Sequence, residues 1–308
     1  MSQRKNPIKK RIRMAKSDVM YMTVVYIVVS LVVVIVAYPL IYVVSCSFSS
    51  PTALIAGRVV LLPVEFSLLG YQTVFKSQQV ITGYINSILY TVTGTAINVV
   101  LTMAAAYPLS RKEFPARGII TLIFSFTMFF SGGMIPSYLL VKQLGLVDTI
   151  WALVLPGAVS VWLVVIARTF ISTSIPEELF EAATLDGCDY VQFFFRVLVR
   201  LSAPIIAVLV LNYSTGHWNS YFNAMIYINN PDKFPLQLVL RNILVQNVVD
   251  SAAIGKMNMS VKDMMTRQYL SELLKYSLIV ISCLPLLALY PFIQKYFIKG
   301  VMVGSIKG

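Results

Sequence analysis

Six stretches of this chain contain no charged side chain: residues 19–57, 77–110, 118–141, 149–167, 201–231 and 276–294. Nothing else in the sequence restricts its fold so tightly. A membrane-crossing helix needs about 20 predominantly apolar residues, and each run can supply them. The runs are continuous rather than alternating, and lipid cannot satisfy free backbone groups, so helices are expected and a β-barrel is not. Composition agrees: of 308 residues, 57% are apolar and 12% charged, with a mean hydropathy of +0.76, against roughly 25% charged in soluble domains. The expectation is an all-α membrane protein with six spans, near 20–47, 82–110, 118–141, 149–170, 201–228 and 273–295.

The net charge of +12 would suit nucleic acid only if the basic residues gathered on a soluble face. They are instead parcelled out between apolar runs, so no nucleic-acid partner is expected and the lipid bilayer is. Residues 1–18 form a basic tail with Arg4, Lys5, Lys9, Lys10, Arg11, Arg13 and Lys16. The apolar run that follows is too long for the core of a cleaved signal peptide and reads as an uncleaved first span. With the N-terminus inside, 16 of the 25 Lys and Arg residues lie on the inner side and nine on the outer, in keeping with the positive-inside rule. Both termini are then cytoplasmic, residues 19–298 form the spanning domain, and 299–308 are a short basic tail. Cys46, Cys188 and Cys283 are an odd, scattered set without metal-ligand spacing, which points to free or buried thiols.

Between two apolar runs lies the most acidic part of the chain, an elbow over 174–200 holding Glu177, Glu178, Glu181, Asp186 and Asp189. Ser174 with Glu177 three places on, and Pro176 between, reads as a capped helix start, and early acids suit the positive end of the helix dipole. Gly187 reads as its stop, Leu179, Ala182, Ala183 and Leu185 as a partly apolar face, and Asp189 as the cap of a second helix. On the charge argument the elbow faces the cytoplasm.

Glu181-Ala182-Ala183, three residues, then Gly187 resembles the EAA signature of ABC importer permeases. The segments AAYPLSRKEF (105–114), MFFSGGMIPSYLLVKQLGL (128–146), WALVLPGAVSVW (151–162), GHWNSYFNAMIY (216–227), FPLQLVLRNIL (234–244) and YPFIQKYFIKGVMVGSIKG (290–308) are similar to the MalG-like carbohydrate permeases, in their LplC branch. The resemblance covers nearly the whole chain and implies the type I importer permease fold. It implies that Glu181, Ala182, Ala183, Asp186 and Gly187 couple the subunit to an ATPase, the glutamate as a charged contact, the alanines as close-packing surface and the glycine as the turn. It implies as partners a second homologous permease, two ATPase subunits that bind the ATP and Mg, and an extracytoplasmic sugar-binding protein, in a bacterial plasma membrane. Tail 299–308 would enter the ATPase interface. In one place the pattern departs: the family has Ile-x-Leu-Pro nine residues after the glycine, and this chain has Val197, Leu198, Val199 and Arg200. Pro204 is the alternative source of a bend.

The chain has no G-x-x-x-x-G-K-[ST] phosphate loop, so it is not expected to be an ATPase or to hold a cofactor. Charge-free spans argue against the main alternative, an ion-coupled secondary sugar carrier, since such carriers place ionisable groups in the membrane. A membrane enzyme lacks a visible reactive constellation, and a multispan assembly or receptor protein that moves no sugar stays open. A sugar route needs aromatic faces and amides or hydroxyls. His217, Trp218, Asn219, Tyr221 and Asn223 form such a cluster, with Trp218 and Tyr221 spaced to share one helix face. Asn86, Asn98, the 129–133 stretch and Pro136 are secondary candidates. Two outer connections are long, 49–80 and 228–271, the second with a short amphipathic helix expected in PLQLVLRNILVQ; both are candidates for docking the binding protein.

Overall fold

The computed structural model describes residues 16–253, 274–292 and 294–295. The basic tail before residue 16, the 256–267 part of the second long connection and the 299–308 tail lie outside the described residues. In chain order the helices are α1 Lys16–Ser47, α2 Pro51–Ile55, α3 Leu69–Lys76, α4 Gln78–Ser110, α5 Arg117–Phe129, α6 Met134–Gln143, α7 Trp151–Val154 and α8 Val161–Ser174. They continue with α9 Glu177–Leu185, α10 Tyr190–Phe193, α11 Val199–Leu201, α12 Ala203–Trp218, α13 Phe222–Tyr227, α14 Leu236–Ala253 and α15 Leu274–Phe292. A wide π turn, Phe194–Leu198, joins α10 to α11. No strand occurs among the described residues.

Among the described residues three helices are long and apolar enough to cross a membrane: Ser17–Ser47, Gln78–Ser110 and Leu274–Phe292. The expected spans at 118–141, 149–170 and 201–228 are not continuous helices. The first breaks after Phe129 into α5 and α6, which meet at 115°. There Gly133 takes φ 84°, in the left-handed region that favours glycine. The second breaks at Pro156-Gly157, where proline cannot continue the ladder and Gly157 has φ 82°. The third ends at Trp218 and resumes at Phe222. A charge-free run records composition, and composition does not register a turn placed inside it.

The hub is α4, which packs along α12, α8 and α14. Met103, Ala106, Leu163, Ala167, Leu198 and Leu209 form the largest buried cluster between these helices and the elbow. Small residues set the spacing, as is usual where helices meet in lipid. A Cβ on Gly83 would lie 3.0 Å from Val239 Cγ2, and one on Gly94 would lie 2.5 Å from His217 Nε2. Polar pairs cross the same seam: Thr102 Oγ1 and Tyr213 OH are 2.6 Å apart, and the Ser160 N–H donates to Tyr213 OH at 3.0 Å.

The end of α4 away from the elbow is tied to the 231–236 segment. Asn86 Nδ2 donates to the Asp232 and Phe234 carbonyls at 2.8 and 3.1 Å. Tyr90 OH donates to the Lys233 carbonyl at 2.9 Å, and the Leu236 N–H to Ser87 Oγ at 2.8 Å. Asp148, at φ 61°, buckles this segment to the loop between α6 and α7. Its Oδ1 accepts the N–H groups of Asn229 and Asn230, both at 3.0 Å. The Lys233 ammonium donates to its Oδ2 at 2.8 Å and to its carbonyl at 2.7 Å. That ammonium and the two backbone N–H groups hold the Asp148 pKa down at about 2.

The 49–80 connection holds α2 and α3. Ser50 caps α2 by accepting the Ala53 N–H, and Glu65 accepts from Thr52 and Arg58 at 3.1 and 2.8 Å. The helix expected in PLQLVLRNILVQ is present as α14, and it is longer than that segment.

Candidate functional site

The elbow is built around α9. Ser174 does not cap it: that residue ends α8, and α9 begins after Pro176 with no side-chain cap. Pro176 itself is extended, with φ −59° and ψ 146°, as is Ile175 before it, since a residue that precedes proline is held out of the helical region; the break therefore falls at Ile175 and Pro176. Gly187 is the stop, with φ 79°. The Gly187 N–H donates to Thr184 O at 3.0 Å and the Cys188 N–H to Ala183 O at 2.9 Å, the paired bonds of a Schellman turn. Asp189 then caps α10, its Oδ1 accepting the Gln192 N–H at 2.7 Å.

The inward face of α9 differs from the expected one. Phe180 and Ala183 pack on the core, whereas Leu179 is exposed and Leu185 is 89% exposed. Phe180 meets the Phe193 ring edge-on at 5.1 Å and lies 5.1 Å from Tyr190. No residue of α9 is buried. Glu181, Ala182, Asp186 and Gly187 are exposed and Ala183 is half-buried, so the structure brings these five together on a projecting, acidic helix end.

Arg111 sits at the root of this projection, its guanidinium carbon 4.2 Å from the Phe180 ring centroid. The sequence reading missed both residues. The available signal was a cation immediately after the charge-free run of α4 and an aromatic at the second place before Ala182. Beside them, a cavity of about 260 Å³ is lined by Arg111, Lys112, Ile175, Pro176, Glu177 and Glu178 among others. Lys112 and Glu177 approach to 3.5 Å, well exposed, and such a pair contributes little.

Beyond the elbow the chain widens into the π turn, then bends by 81° at Ser202 between α11 and α12. Pro204 lies in the first turn of α12, which proline tolerates. Arg200, in the position where proline is usual, remains helical and exposed.

The aromatic and amide cluster is split. Trp218 is 2% exposed; it packs with Val80, Leu236 and Leu278, meets Tyr84 edge-on at 5.6 Å and donates its indole N–H to the Ser282 carbonyl at 2.9 Å. It is a packing residue. His217 is half-buried against Gly94, its Nε2 3.0 Å from Asn98 Nδ2. Trp218 and Tyr221 do not share a helix face, because α12 ends at Trp218 and Tyr221 precedes α13. Asn219, Tyr221 and Asn223 are exposed at the break. Of the secondary candidates, Asn86 ties down the 231–236 segment and Asn98 is buried, while Phe129 and Phe130 are exposed.

No family model matches the chain. It is 38% identical over 270 residues to Protein LplC of Bacillus subtilis, covering 88% of this chain and 89% of that one. To the polygalacturonan/rhamnogalacturonan transport system permease protein YtcP of the same organism it is 37% identical over 270 residues, 88% and 92% of the two chains. Among solved structures it is similar to a chain of a bacterial ABC transporter involved in the import of the acidic polysaccharide alginate. The TM-score is 0.81 and the identity 31%, covering 93% of this chain and 99% of that chain. With its projecting acidic elbow, its apolar helices and these relatives, the chain belongs to the permease subunits of ABC carbohydrate importers, multi-pass membrane proteins without a catalytic site of their own.

Proposed function

We propose that this subunit forms half of the translocation pathway of an ATP-driven oligosaccharide importer and is driven through its elbow. The partners are a second homologous permease, two ATPase subunits that bind ATP and Mg, and an extracytoplasmic sugar-binding protein. Six crossings place both termini in the cytoplasm, with the interrupted segments α5–α6, α7–α8 and α12–α13 each counted as one. Glu181, Ala182, Ala183, Asp186 and Gly187 enter a groove on an ATPase. The observation that carries this reading is that α9 has no fully buried residue and exposes its acidic side, while it is stopped by Gly187 and rooted on the core by Phe180. A helix with no fully buried residue, half-buried on the core only through residues such as Phe180 and Ala183 and ending in a leucine 89% exposed, is supported as an interface rather than as packing.

Asn219, Tyr221 and Asn223, exposed where the helix breaks, line the sugar route, and Trp218 and His217 hold that break against α4 and α15. Broken helices in membranes are tolerated where they face protein or a water-filled cavity. An acidic oligosaccharide is the sugar class this reading takes, supported by the naming of YtcP for polygalacturonan and rhamnogalacturonan transport and by a crystallised importer involved in the import of alginate. The test is uptake into proteoliposomes holding the complete importer, with 177–187 replaced by a Gly-Ser linker of equal length. Loss of uptake with both permeases still paired is expected; normal uptake would refute the reading. An oligogalacturonide compared with a maltooligosaccharide then assigns the sugar class.

A further inference from the structure

Arg111 is the residue that terminates α4. Its guanidinium carbon lies 4.2 Å from the ring centroid of Phe180, 5.1 Å from that of Phe193 and 5.4 Å from that of Tyr107. These rings belong to α9, α10 and α4, so a single cation holds three elements together. The elbow offers five carboxylates, yet among the described residues none pairs with Arg111, and the neighbouring Lys112 takes Glu177. Arg111 Nε is buried without a hydrogen-bond partner among the described residues, so that nitrogen contributes nothing to the placement. A planar, weakly hydrated guanidinium is the cation suited to lie among ring faces.

The opposite end of α4 is gripped as firmly. Asn86, Ser87 and Tyr90 bond the 231–236 segment, about 30–40 Å from Arg111 along the helix. Between the two ends α4 is pinned to α12 by the Asn98–His217 and Thr102–Tyr213 pairs.

Resting on the docking role of the elbow, we propose that Arg111 is the joint that transmits displacement of the elbow to α4, which carries it to the 231–236 segment. Arg111 is a positioning residue: it touches neither nucleotide nor sugar, and acts by making α9 and α4 move together. The alternative is that α9 and α4 are merely neighbours and the elbow drives other helices.

The experiment uses the complete importer in nanodiscs and needs no identified sugar. Hydrogen–deuterium exchange is followed in 228–236 on adding AMP-PNP, and a photo-crosslinking residue in place of Leu185 reports docking on the ATPase. Coupling residues shift such equilibria by roughly 2- to 30-fold. Arg111→Met is expected to keep the crosslink and nucleotide binding while reducing the AMP-PNP-dependent exchange response by at least about threefold, with Arg111→Lys between Arg111→Met and the unsubstituted complex. If Arg111→Met does not assemble, Phe180→Leu, which keeps apolar volume without a ring face, decides by the same readout. A retained crosslink with a response reduced by less than about threefold overturns the joint and leaves docking standing. No crosslink in the complex with native Arg111 overturns docking, and the joint with it.

Discussion

Replacing Gly94 by alanine puts a methyl group where the structure has the His217 ring, with ring atoms 2.5, 2.6 and 2.8 Å from the ideal Cβ position. One of two things must follow. Either the seam between α4 and α12 is overpacked, which costs about 1–3 kcal/mol, or the ring moves clear and gives up its 3.0 Å contact with Asn98. Asn98 is 2% exposed, and its Oδ1 has no hydrogen-bond partner among the described residues. Stripping its remaining contact leaves a buried amide unsatisfied, again about 1–3 kcal/mol. Against this, alanine is favoured over glycine inside a helix by about 1 kcal/mol. The net expectation is a loss of up to about 2 kcal/mol, or a Tm lowered by up to roughly 8 °C on the scaling for domains approaching this size. In a His217→Ala background the ring is gone and only the helix preference remains, so the same substitution is expected to stabilise by about 1 kcal/mol. Thermal unfolding of the four purified importers, followed by tryptophan fluorescence, closes the double-mutant cycle. Effects that add to within about 0.5 kcal/mol would refute the close-packing argument.

Gly187→Ala meets no atom within 4 Å, so its penalty is one of backbone conformation at φ +79°; a left-handed alanine costs about 1–2 kcal/mol. Crosslinking from position 185 to the ATPase should fall by roughly 5- to 30-fold, with Gly187→Asn retaining more. For Asp148, a folded pKa of about 2 against roughly 3.9 unfolded means the buckle's stabilisation is present above about pH 4 and lost as pH falls through about 2. Exchange in 228–236, corrected for intrinsic rates, should rise over that interval, and Asp148→Asn should show the raised exchange at neutral pH with no acid step. Trp218→Phe loses the bond to the Ser282 carbonyl and should lower stability by about 1 kcal/mol with uptake kinetics unchanged. Asn223→Ala should slow uptake while basal ATP hydrolysis stays the same, and unaltered uptake would remove it from the route.

What could be read from the sequence is what local chemistry decides. Gly187 and Asp189 end and restart helices by bonds that span three to five residues, so their roles are written beside them. Apolar composition likewise announced helices in lipid, but not where Gly133 and Gly157 turn the chain within a run. Trp218 looked like a sugar platform because a tryptophan near amides carries no mark of burial; Leu236, Leu278 and the Ser282 carbonyl enclose it from distant parts of the chain. The inward side of α9 was misread for the same reason. Leu179 and Leu185 are as apolar as Phe180, and what sets Phe180 apart is its contact with Phe193 and with Arg111, almost seventy residues earlier. Asp148 and Lys233 were legible only as charges bordering apolar runs.

Phe193 and Leu198 are both fully buried in one cluster, although on an α-helix side chains five apart diverge by about 140°. The wide turn Phe194–Leu198 closes that angle by stacking the two over each other. The compass bearing on which α12 leaves therefore depends on how many residues this turn contains as well as on the 81° bend at Ser202. Deleting one of them would leave a perfectly good helix aimed the wrong way.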